Sequence, residues 1–298
     1  MGELDLIRWI RARIPRRRPG VVVDSGDDAA VVRIGREQVL FKTDTVIDGV
    51  HFDSAAARPE EIGHKAVARP LSDLAAMGGV PTFAVVAMMV PRSAREAWTK
   101  RVMTGMERTA AAFGTAIVGG DLKSHAGKLA IAVALIGKIK GRPIRRGGAR
   151  PGDAIAVTGP LGGSILGRHL RFTPRVREAQ ELIRKHTIHA MIDLSDGLAT
   201  DLAHVCEESG VGATIDEARI PVASEARWLS LRDGRGPLEH ALTDGEDYEL
   251  LFTLPGRESA KVKGVIGAIE KRRGLRLRRK DGRVEPIKVR GWGHRFEC

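Results

Sequence analysis

Two hydrophobic periods take turns along the first half of the chain. Runs in which apolar residues alternate or lie adjacent predict strands at Val39–Thr43, Phe83–Val90, Ala116–Val118 and Leu129–Lys138. Between them, apolar positions recurring every three or four residues predict helices at Glu60–Met77 and Ala94–Phe113. The Gly- and Arg-rich stretch Gly141–Gly152 breaks both periods and reads as a linker. Beyond it, strands are expected at Ala154–Thr158, Ala190–Asp193, Ala213–Asp216 and Glu249–Leu254, with helices at Pro174–Lys185, Gly197–Glu208 and Ala260–Lys271. This alternation defines a mixed α/β protein. At 298 residues it is long for one hydrophobic core, so two domains are expected, 1–142 and 143–298.

Composition narrows the function classes. Charged residues at 29% beside 43% hydrophobic residues suit a folded globular chain rather than a disordered one. The longest apolar runs are too short to span a bilayer and residues 1–18 hold no signal-peptide core, so no membrane partner and a cytoplasmic location are expected. Two cysteines, Cys206 and Cys298, do not make a disulfide framework. The net charge of +12 raises nucleic acid as a partner. Against that reading, the basic residues fall in separate runs, and aromatic residues, at 4%, leave few platforms for stacking bases.

Chemistry is concentrated in short acidic turns. There is no Gly-x-x-x-x-Gly-Lys-Ser/Thr loop and no dinucleotide fingerprint. Instead Gly26-Asp27-Asp28, Lys42-Thr43-Asp44-Thr45, Ser72-Asp73, Gly119-Gly120-Asp121, Asp193-Leu194-Ser195-Asp196-Gly197 and Asp244-Gly245-Glu246-Asp247 stand at the ends of expected elements. Any one of these turns also reads as a helix N-cap or turn former. Magnesium takes oxygen ligands, commonly one or two carboxylates with water and phosphate, so several such turns converging would suit a site for metal-bound phosphates. In the Asp193–Gly197 turn, Ser195 or Asp196 could cap the following helix while free N–H groups held a phosphate. Gly162-Gly163-Ser164 could cradle phosphate in the same way, though it more simply reads as a helix entry.

Taken in order, these segments resemble the thiamine-monophosphate kinase family, within the ATP-binding superfamily that also holds aminoimidazole ribonucleotide synthetase and selenophosphate synthetase. The resemblance rests on Gly2-Glu3-Leu4-Asp5-Leu6-Ile7, Gly26-Asp27-Asp28-Ala29-Ala30, Thr43-Asp44-Thr45, Gly49-Val50-His51-Phe52 and Leu71-Ser72-Asp73-Leu74-Ala75-Ala76-Met77-Gly78. It continues through Gly119-Gly120-Asp121, Met191–Leu198 and Gly245-Glu246-Asp247-Tyr248-Glu249-Leu250. It implies a two-domain synthetase-like fold: an N-terminal α/β domain whose sheet joins that of a second subunit in a dimeric barrel, and a C-terminal α/β sandwich domain closing over nucleotide and substrate. It also implies direct transfer of the γ-phosphoryl group of ATP to thiamine monophosphate by a homodimer, assisted by several Mg2+ ions and without a protein nucleophile. By position, Asp28, Thr43, Asp44, Asp73, Asp121, Asp193 and Asp196 would bind metal, Gly120, Asp121, Arg146 and Ser195 would contact ATP, and His51 and Glu246 would meet the thiamine substrate. The chain departs from the family where Lys42 replaces a serine and Leu122 a threonine, and where 291–296 only approximates the family's ending. The alternatives are another ATP-dependent enzyme of the superfamily and a paralogue that binds without turnover.

Overall fold

A computed structural model describes residues 3–13 and 19–289. After a helix α1 (Glu3–Arg13), strands β1 (Val21–Val23), β2 (Ala30–Ile34), β3 (Glu37–Ile47), β4 (Val80–Pro91), β5 (Ala116–His125) and β6 (Ala130–Ile139) form one sheet in the order β1-β2-β3-β6-β4-β5. Pairing is antiparallel except between β4 and β5, which run parallel because helix α3 (Glu96–Ala112) carries the chain back between them.

Helix α2 (Pro59–Ala76) lies on one face of this sheet, and its ends are written in the sequence. Pro59 opens it, where a missing N–H costs nothing, and the Glu61 carboxylate accepts the Arg58 N–H at 3.1 Å. Gly78, with φ of 74°, closes it: the N–H groups of Gly78 and Gly79 return to the carbonyls of Ala75 and Leu74 at 2.9 and 2.8 Å. α3 crosses α2 at backbone contact distance. A Cβ on Gly63 would fall 2.0 Å from the Val102 carbonyl oxygen, and one on Gly105 would fall 2.1 Å from that of Glu60. Gly63→Ala should therefore force the helices apart and destabilise the fold by about 2 kcal/mol, seen as a Tm several degrees lower in calorimetry; an unchanged Tm would contradict the close crossing.

The second sheet is built from β7 (Asp153–Val157), β8 (Ala190–Asp193), β9 (Gly212–Asp216), β10 (Leu250–Pro255), β11 (Val265–Glu270), β12 (Gly274–Arg278) and β13 (Val284–Pro286), in the order β13-β12-β9-β11-β7-β10-β8. Helices α4 (Val176–Lys185), α5 (Leu198–Ser209), α6 (Ser224–Asp233) and α7 (Pro237–Thr243) accompany it. Strands β7 and β10 are buried on both faces, which explains their nearly continuous apolar runs. One face, carrying Ala154, Ala156, Phe252 and Leu254, joins the core around Leu71 and Leu74 of α2; the other, with Ile155, Val157 and Leu251, packs with Leu198, Leu202 and Val205 of α5. α2 is thus shared by both sheets, and it also packs against α4.

Three expectations are corrected. The helix over 260–271 is instead a short 3-10 turn, Gly256–Lys261, followed by β11: Val262, Val265, Ile266 and Ile269 are β-branched, and Gly264 and Gly267 weaken a helix. β5 continues to His125, so Gly119-Gly120-Asp121 lies inside a strand rather than at its end. The third concerns β3, which spans 11 residues where five were expected. Strands β1, β2, β12 and β13 and helices α6 and α7 were not expected from the sequence; they are short, three to ten residues each. Residues 291–296 and Cys298 lie outside the described residues. No helix among those described is long and apolar enough to cross a membrane.

Candidate functional site

Where the two sheets meet along α2, carboxylates from three separate elements converge. Asp28 precedes β2, Asp73 sits in the last turns of α2, and Asp193 ends β8; one oxygen of each lies within 4.8 Å of the others, and all three residues are buried. The Ser72 hydroxyl donates to Asp193 Oδ2 at 2.8 Å, fastening α2 to β8. Asp27 accepts the Arg146 N–H at 2.7 Å and Arg145 Nε at 3.0 Å, which pins the segment between β6 and β7 so that Arg146 Nε reaches Asp28 at 2.9 Å.

Burial and mutual repulsion make this cluster demand cations. Burial first, and then the charge of Asp28, pushes the Asp193 carboxyl up to about 7, while burial holds Asp73 well above the usual carboxylate range. Asp28 Oδ2 is buried with no hydrogen-bond partner. A carboxylate oxygen left without a donor amid other carboxylates is what a hard cation with oxygen ligands would complete, so the residues present fit magnesium.

Of the expected metal ligands, Asp28, Asp73 and Asp193 come together, and Asp44 stands at their margin through Lys42, whose Nζ is 2.9 Å from Asp73 Oδ1 and 3.6 Å from Asp44 Oδ1. Thr43 and Asp121 do not join them. Along β3 the period of two directs Lys42 and Asp44 towards α2 and exposes Thr43 on the opposite side with Phe41. Asp121, in register with Ala87, is 58% exposed on the edge strand β5 and pairs with Lys123 at 2.8 Å. Gly120 serves packing there, since a Cβ would fall within contact of the Val86 carbonyl.

Asp196 and Ser195 occupy the turn after β8, beside the cluster but outside it. Two N–H groups that the sequence left open to a phosphate are taken within the chain: those of Asp196 and Gly197 both donate to Asp201 Oδ2 at 3.1 Å, and Gly197, not Ser195 or Asp196, is the N-cap of α5. The Gly162-Gly163 cradle is filled likewise, by Asp247 and Asp244 at 2.9 Å each. Both corrections share one cause: buried backbone donors found carboxylates within the chain.

The expected substrate residues are tied together by one buried lysine. Lys65 of α2, fully buried, donates from Nζ to the His51 carbonyl at 2.6 Å and to Glu246 Oε2 at 2.9 Å, so one ammonium ties His51 to Glu246. Glu246 and Tyr248 both adopt φ of 52°, held there by Glu246 N–H to Ser195 O at 2.7 Å and Tyr248 N–H to Leu194 O at 2.8 Å. Tyr248 stacks on Phe172 with ring centroids 3.8 Å apart.

Sequence reasoning missed Lys65, Arg69, Phe172 and Tyr248 as parts of the site. The signal was present in α2, where Glu61, Lys65, Arg69 and Asp73 recur every four residues and so share one face. Charges on the buried face of an apolar helix are rare unless paired or functional.

The two sheets joined through a shared, buried acidic cluster define the class. Residues 26–139 match the model of the AIR synthase related protein N-terminal domain, and residues 150–272 that of its C-terminal domain. Within that class, the chain is 37% identical to thiamine-monophosphate kinase of Rhodopirellula baltica, over 98% of this chain and 97% of that one. It is 33% identical to the Aquifex aeolicus enzyme of the same name, over 99% and 98%. Its fold matches the solved structure of AaThiL complexed with AMPPCP and TMP at a TM-score of 0.87 and 31% identity, covering 98% of this chain and 97% of that one. The chain belongs to the thiamine-monophosphate kinase family.

Proposed function

We infer that this chain transfers the γ-phosphoryl group of ATP to the phosphate of thiamine monophosphate, yielding thiamine diphosphate and ADP. The observation that carries the reading is the convergence of Asp28, Asp73 and Asp193 beside Arg146 in a chain of this family. The related AaThiL structure holds an ATP analogue and TMP together. Bringing two anionic phosphates into contact is opposed chiefly by repulsion, so catalysis rests on positioning and charge neutralisation. Asp28, Asp73 and Asp193, with Asp44 beside them, would hold Mg2+, which when bound supplies the positive charge that offsets the phosphates and orients the transferred group. Arg146, fixed by Asp27 and Asp28, adds a cation on the nucleotide side, and Glu246 and His51 position the thiamine substrate.

The remaining assignments follow from the same reading. The junction between domains falls at 142/143, inside the segment between β6 and β7, and the protein works in the cytoplasm. Phe41, Phe83, Val85, Val118 and Leu122 leave an apolar trough open on the side of the first sheet away from α2. Covering it with a second copy makes a homodimer and supplies Asp121 with surroundings that its own chain does not provide.

Purified protein incubated with ATP, Mg2+ and thiamine monophosphate should form thiamine diphosphate, followed by chromatography. Nucleotide binding without product would reject this acceptor. The pH dependence is a further expectation. Burial pushes the Lys65 ammonium down to about 8 against the opposing charge of Glu246. Below that value the cation holds Glu246 in place, and above it the pair loses its positive member. The KM for thiamine monophosphate should therefore rise several-fold between about pH 7.5 and pH 9.5, and Lys65→Arg, whose guanidinium does not deprotonate, should flatten the rise. A pH-independent KM would reject this role for Lys65.

A further inference from the structure

Lys42 places a positive charge inside the acid cluster. Its partners come from different elements: Asp44 from its own strand, Asp73 from α2 at 2.9 Å, and Asp193 from β8 within electrostatic reach. A lysine ammonium this close to two carboxylates sets a fixed positive charge among them. Two guanidinium groups also approach these carboxylates, Arg146 with Nε 2.9 Å from Asp28 Oδ1 and Arg69 with Nε 4.0 Å from Asp44 Oδ2.

The geometry leaves a divalent ion little room on this side of the cluster. Magnesium binds carboxylate oxygens at about 2.1 Å and keeps near-octahedral geometry. An ammonium 2.9 Å from Asp73 Oδ1 and 3.6 Å from Asp44 Oδ1 already contacts both carboxylates that would hold an ion there. Two cations at that separation would repel strongly in a site removed from water. Asp28 keeps its Oδ2 without a donor, while its Oδ1 takes Arg146 Nε at 2.9 Å.

We propose that Lys42 is a tethered cation standing in for one divalent ion in the aspartate cluster, so that this chain binds one ion fewer than it would with a short neutral side chain at that position. The proposal rests on the metal-assisted reading above. It makes Lys42 a positioning residue that sets metal stoichiometry. It also explains how the metal-free cluster of buried carboxylates is held together.

The test counts Mn2+ bound to the metal-stripped full chain in the presence of a non-hydrolysable ATP analogue, by electron paramagnetic resonance of the free ion, without turnover. Lys42→Ser should bind one more Mn2+ per chain than the wild type, while Lys42→Arg keeps the wild-type count. Metal-free Lys42→Ser should also melt several degrees lower than the wild type and recover in millimolar Mg2+, which moves the wild type less. If Lys42→Ser folds only with metal, that dependence is itself the expected result, and Lys42→Gln supplies the count. Equal counts and equal Mg2+ responses in wild type and Lys42→Ser would overturn the proposal while leaving the metal site intact. Wild type and Asp193→Asn binding no Mn2+ alike would overturn the metal reading and the proposal with it.

Discussion

Asp193→Asn should lower kcat by roughly 10³-fold, equivalent to about 4 kcal/mol of transition-state stabilisation, and leave the KM for thiamine monophosphate within a few-fold. The amide keeps an oxygen that can accept the Ser72 hydroxyl, so the fastening of α2 to β8 survives. What is removed is one negative charge from the cluster shared with Asp28 and Asp73. Because burial already raises this carboxyl to about 7, an asparagine resembles the protonated form that the metal-free site already populates near neutrality. The metal-free variant should therefore melt no lower than the wild type. Loss of turnover with preserved Tm separates a functional carboxylate from a structural one. A loss below tenfold in steady-state kinetics would remove Asp193 from the phosphate-handling site.

Much of this site was legible because its parts are punctuation. Asp28, Asp73 and Asp193 sit where a turn or a helix end interrupts an apolar run, and such interruptions survive in a linear reading. The alternating strands and amphipathic helices of the first half were legible for the same reason. Two features were not. The face a strand residue takes depends on register, so Thr43 and Asp44, neighbours in the expected ligand set, part to opposite sides of β3. The ownership of backbone donors is equally hidden: the N–H groups of 162, 163, 196 and 197 read as free until Asp247, Asp244 and Asp201 fold onto them. Segment 260–271 misled because its lysines and apolar residues also fit a helical period, and only pairing with β7 and β9 decides for a strand. The ladder Glu61, Lys65, Arg69 and Asp73 was visible in spacing alone, yet its meaning needed the second sheet that buries it.

Within that ladder, Lys65 offers the largest stability effect. Its side chain is fully buried, while Glu246, its carboxylate partner at 2.7 Å, retains 27% exposure. Converting Glu246 to glutamine removes the only carboxylate paired with Lys65 among the described residues and leaves the ammonium with the neutral His51 carbonyl and an amide oxygen. Removing one partner of a buried ion pair costs about 3 kcal/mol or more, because Lys65 must either keep its charge desolvated and unpaired or give up its proton. Glu246→Gln should thus lower the Tm clearly and raise the KM for thiamine monophosphate. The double variant Lys65→Met, Glu246→Gln removes both charges and should regain most of the lost stability, since an apolar side chain of similar length suits the cavity. It should not regain the KM, because Glu246 is still absent. Recovery of stability without recovery of binding would show that the stability loss comes from the unpaired lysine and the binding loss from the missing Glu246 carboxylate, whereas additive losses in the denaturation cycle would mean that the two residues act independently.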